Sequence, residues 1–259
     1  MRRWLTTAVC FQATVLMAAP PPGTRLNFVS CPIVLDTPTV PCWVSDYQGE
    51  RYYLTIQSDV SAEVQPPMLG HQVLVEGVVA DAAAICGGVV LNPVRLSVMP
   101  ERDANCNQML PVDERYTIDF NPRPPGPSGG RLAFDPAPGA ARPAAPPPRG
   151  PQRIDLYFDF DRGVSVRHPG DLGSVIQRAG QTGATTLKVT GTRGAHLLSD
   201  GTVLRESAGI AMRRAEEVAG LLKGAGLELA IEIASVDSLE EADGIEDWRS
   251  RRVTVEMAP

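Results

Sequence analysis

Residues 121–152, NPRPPGPSGGRLAFDPAPGAARPAAPPPRGPQ, constrain this chain more than any other stretch. Proline cannot donate to a ladder and glycine adds conformational freedom, so such a density of both sustains neither strand nor helix. The chain is therefore read as two modules joined by a linker. In polyproline geometry, at roughly 3 Å per residue, that linker would span about 60 to 90 Å. A tether without specific length is the alternative.

After the linker the pattern is regular. In IDLYFDF, Ile154, Leu156, Phe158 and Phe160 alternate with polar residues, and LELAIEI (residues 227–233) and VTVEM (253–257) repeat the period. Alternation of this kind marks strands with one buried and one wet face. TTLKVT (185–190) adds a strand, and residues 169–181 and 203–226 read as helices. At about 100° per residue, Ala211, Ala215, Val218 and Leu222 form one stripe on the second helix, with Arg213 pointing away and Arg214 on its shoulder. The order β-α-β-α-β-β predicts a two-layer α/β sandwich over residues 153–257.

Three pieces carry a resemblance: SAGIAMRRAEEVAGLL with Arg214-Ala215, IDLYFDFD at 154–161, and SRRVTVEM at 250–257. Their order and spacing resemble OmpA-like peptidoglycan-binding domains. The resemblance implies non-covalent, non-catalytic binding of a diaminopimelate-type stem peptide of peptidoglycan. It implies Arg214 as the fork that meets the ligand carboxylate, since guanidinium and carboxylate match as a planar pair. Asp200, Thr192, Arg251 and Ser207 are the candidate helpers. The loop after the second strand reads Gly191-Thr192-Arg193-Gly194 where the family carries an aspartate, and it is lengthened by AHLLSDGT. That departure supports a second reading, a periplasmic protein-interaction scaffold that has lost the cell-wall ligand.

Residues 27–112 hold short segments rich in β-branched residues, at 51–57, 71–80, 86–91 and 94–99, bounded by Gly, Pro and Asp. They predict a small all-β domain, an OB-like barrel or a small sandwich, with a bulge or bend at Gly77. No catalytic set is expected in it, and another envelope protein is the partner it suggests.

The first 19 residues, MRRWLTTAVCFQATVLMAA, read as a secretory signal peptide, with two arginines, an apolar run and small residues at its end; a retained membrane anchor is the alternative. Its removal leaves Cys31, Cys42, Cys86 and Cys106, an even count that suits disulfides in an exported protein. Of the three connectivities, the neighbouring pairs Cys31–Cys42 and Cys86–Cys106 are the expectation. Metal binding is not expected, because there is no Cys-x-x-Cys and His71 stands alone. Nor is a cofactor expected. The formal charge of −6 argues against nucleic acid as a partner. The expected location is the periplasm, in association with the outer membrane.

Overall fold

In the computed structural model the described residues are 19–57, 66–118, 152–163, 169–239 and 241–258. All but the last residue of the predicted signal peptide and all but the last residue of the predicted linker lie outside them.

The amino-terminal half is a seven-stranded mixed sheet. Its strands are β1 (Arg25–Ser30), β2 (Pro32–Leu35), β3 (Cys42–Tyr47), β4 (Glu50–Ile56), β5 (His71–Val79), β6 (Val89–Arg102) and β7 (Gln108–Leu110). They lie in the order β1-β5-β6-β4-β3-β2-β7. Since β1 and β2 are one run broken at Cys31, β1 pairing with β5 while β2 pairs with β3 curls the sheet back on itself. Phe28, Trp43, Tyr52, Leu54, Val73, Val75 and Leu96 fill its core. The β5/β6 register shifts between Gly77 and Val79, where a Cβ on Gly77 would meet Leu91 Cβ at 3.0 Å.

The carboxy-terminal half contains β8 (Gln152–Tyr157), α1 (Pro169–Thr182), β9 (Thr186–Thr192), a hairpin of β10 (Ala195–Leu197) and β11 (Val203–Arg205), α2 (Ile210–Gly224), β12 (Ala230–Val236), a 3-10 turn (Asp247–Ser250) and β13 (Arg252–Ala258). Its four-stranded sheet runs β12-β9-β13-β8, with β12 parallel to β9 and the other pairs antiparallel. The predicted stripe Ala211, Ala215, Val218 and Leu222 is wholly buried. α2 sits so close to β9 that a Cβ on Gly191 would lie 1.9 Å from the Ala211 carbonyl oxygen.

The expected fold class, a small β domain followed by a two-layer α/β domain of OmpA-like type, does not hold. Strand outweighs helix, 44% to 16%, and a large mixed sheet dominates. Part of the reason is local. Residues 203–205, expected in the long helix, pair with Ala195–Leu197 instead, and α2 begins only after Gly209 in a left-handed conformation. The strand expected at 227–233 also moves: Leu227 still closes the helix by donating to Leu222 O, and β12 starts at Ala230.

The two halves are packed together. On one face of the amino-terminal sheet, Asn27, Glu76 and Arg95 stand directly opposite one another across β1, β5 and β6. Directly opposed residues share a face. Asn27 donates to the carbonyls of Leu197 and Gly244. Glu76 pairs with Arg251, and the Arg95 guanidinium lies 3.7 Å from the Trp248 ring centre. On the same face Leu74 and Ser97 are fully buried, and Ser97 donates to Asp159. β5 is thus covered on both sides, which is why it reads as a nearly unbroken apolar run.

Candidate functional site

Arg214 organises the site the sequence points to. It lies on the first turns of α2, fully buried, and faces Glu206 in the turn between β11 and α2. The pair is a bidentate fork: Nη2 donates to Oε1 at 2.5 Å and Nη1 to Oε2 at 2.9 Å. The remaining donors are also used. Nε donates to Arg162 O at 2.8 Å, Nη2 to Asp159 O at 2.9 Å, and Nη1 to Thr192 O at 3.4 Å. A guanidinium has five N–H groups, and all five are spent inside the chain. Glu206 is equally saturated, because the amides of Asp161 and Gly194 each donate to one of its oxygens at 2.7 Å. The Phe158 ring lies 5.2 Å from the guanidinium carbon.

This arrangement corrects the expectation that Arg214 reaches into a groove. The expected helpers do not join it through their side chains either. Asp200 is exposed and holds its own turn, accepting from Thr202 N at 2.8 Å. The Thr192 hydroxyl donates to the Ser250 carbonyl at 2.6 Å, with the Arg252 carbonyl also 3.1 Å away, although its backbone oxygen touches Arg214. Ser207 is engaged by Asp161, which takes both its amide and its hydroxyl. Arg193, in the stretch that departs from the family pattern, ties the Glu206 carbonyl to the Asp237 carbonyl.

Arg251 belongs to a second buried cluster. Its Nη2 donates to Glu76 Oε2 at 2.7 Å, and His196 Nδ1 stands 3.2 Å from Glu76 Oε1, in ionic range but outside hydrogen-bond alignment. Burial pulls the Glu76 carboxyl upward, yet the Arg251 charge and then His196 outweigh it and hold it at about 2. Nε and Nη1 of Arg251 are buried without a partner among the described residues. The lengthened loop runs beside this cluster and grips the other half: Ser199 N donates to Asn27 O at 2.7 Å, and Asn27 N donates to Ser199 Oγ at 2.9 Å.

Sequence reasoning missed Glu206 and Glu76. The signal for Glu76 was a single carboxylate inside the apolar run VLVEGVV. For Glu206 the signal was weaker, an acid eight residues before an arginine on a buried helix shoulder.

The cysteines form two disulfides, but Cys31 pairs with Cys106 and Cys42 with Cys86. The neighbouring pairing is overturned because the bend after β1 lies beside the end of the β6–β7 connection. Cys31, Asp103 and Cys106 converge closely enough for an ion, but the two sulfurs are bonded to each other. The disulfides indicate an oxidising, non-cytoplasmic compartment. No helix among the described residues is long and apolar enough to cross a membrane. No protein-family model matches this chain, and no curated protein matches it.

Proposed function

We propose that this protein is a non-catalytic scaffold of the cell envelope that docks another envelope protein, and that Arg214 serves its fold rather than a peptidoglycan ligand. The observation that carries the reading is the closed fork between Arg214 and Glu206. A stem-peptide carboxylate would have to evict Glu206, leaving a buried carboxylate without its cation at a cost of roughly 3–5 kcal/mol. The lengthened loop supports the same reading, since its Ser199 is taken up by Asn27. The location proposed is the periplasm, reached through the leader at residues 1–19, with the disulfides as the supporting feature.

Sedimentation of the full chain with purified sacculi tests this. The protein is expected in the supernatant, unchanged by free diaminopimelate, while cross-linking in the envelope gives a discrete protein adduct. Retention that diaminopimelate competes away, and that Arg214→Lys abolishes in a still cooperatively folding chain, would overturn it.

A further inference from the structure

β12 ends the carboxy-terminal sheet, bonded on one side to β9 through seven consecutive register pairs from Ala230↔Thr186 to Val236↔Thr192. An end strand presents a row of unpaired amides and carbonyls, which proteins usually blunt with lysine, proline, a bulge or brevity. β12, AIEIASV, has no lysine, proline, bulge or brevity, and its one charged side chain, Glu232, is already matched by Lys188 on β9. The opposite edge, β8, carries Arg153 and Asp155 in an ion pair, and β7 at the end of the other sheet is three residues long. Two large apolar side chains on β12, Ile233 and Val236, are 37% and 44% exposed.

We infer that β12 is an interaction edge whose occupant is the β12 strand of a second copy, antiparallel and centred on Ile233. Strand alternation requires opposed residues to share a face, charge rules out the register centred on Glu232, and the exposed Ile233 side chain is covered when it meets its own counterpart. On one face Ile233 meets Ile233 of the second copy, flanked by Ile231 opposite Ser235. On the other, Glu232 meets Ala234 and Ala230 meets Val236. Directly opposed like charges destabilise a sheet pair, and this register opposes none. The two Glu232 carboxylates lie on a diagonal, and each already has Lys188 beside it in the row Glu232–Lys188–Glu256–Arg153, which alternates in sign. Val236 of the second copy falls beside Ala230, on the rim of a 620 Å³ concavity that Lys188, Glu256 and Ala258 also line. The pair of copies then shares one eight-stranded sheet. The inference goes beyond the scaffold reading and does not use the Arg214 fork, so either can fail alone.

Sedimentation equilibrium and a cysteine trap on the full chain test it. The expected mass is twice that of one chain, falling to that of one chain in Ile233→Lys. In a Cys10→Ser background, Ile233→Cys is expected to cross-link under mild oxidation, because opposed residues bring Cα atoms to about 4.5–5.5 Å, within disulfide reach. Val236→Cys alone is expected not to cross-link, whereas mixed with Ala230→Cys it should. A single-chain mass for the unaltered protein at every concentration overturns the inference. So does a two-chain mass that survives Ile233→Lys, or cross-linking of Val236→Cys with itself in preference to Ile233→Cys.

Discussion

Glu76 on β5 and Arg251 beside the 3-10 turn are 175 positions apart in sequence, yet they meet at 2.7 Å with both side chains withdrawn from solvent. The contact ties the two halves through an ion pair whose carboxyl is held at about 2, against an ordinary value of 4.5. A depressed folded-state value means the stabilisation is fully present above about pH 4.5 and is lost as pH falls through about 2. Glu76→Gln is expected to lower unfolding stability by about 3 kcal/mol at neutral pH. Urea midpoints measured at a series of pH values should show the two proteins converging as pH falls toward 2.

The Glu206–Arg214 fork predicts strong non-additivity. Either Glu206→Ala or Arg214→Ala strands a buried charge and should cost roughly 3–5 kcal/mol. The double variant removes both charges and should cost clearly less than the sum. Chemical denaturation of the three variants gives the coupling directly.

Reduction of the disulfides should destabilise the amino-terminal half most. Cys31–Cys106 spans 75 positions and Cys42–Cys86 spans 44. Loops of this size stabilise by about 4 kcal/mol each when unfolded-chain entropy dominates. Thermal melts with and without a reductant measure the loss, and non-reducing peptide mapping should recover the Cys31–Cys106 and Cys42–Cys86 peptides.

Gly191→Ala should loosen α2 from β9. The added methyl would sit 1.9 Å from the Ala211 carbonyl oxygen, a backbone atom that cannot swing aside. Overpacking of this kind costs typically 1–3 kcal/mol. Amide exchange should speed up along α2 while the amino-terminal strands stay protected.

Local periodicity was legible in the sequence, and long-range pairing was not. Richness in β-branched residues located β4 and β5, alternation located β13, and the helical stripe named Ala211, Ala215, Val218 and Leu222 as buried. The helix start was misplaced because Val203–Arg205 becomes a strand only through its partner Ala195–Leu197, a contact that propensity does not encode. The cysteine pairing failed for the same reason: Cys31 reaches Cys106 only once the sheet has curled. Arg214 was singled out for the right chemistry, a fork for a carboxylate, but the carboxylate is Glu206 of the same chain.

The rung formed by Asn27, Glu76 and Arg95 gives the joint between the halves a single notch. All three grips lie on one rung of one face, so sliding one half along the strands by one residue, about 3.3 Å, would carry each of them away from its partner together. Damage to a strand near residue 76 would therefore be felt at residue 251 without travelling through the intervening chain.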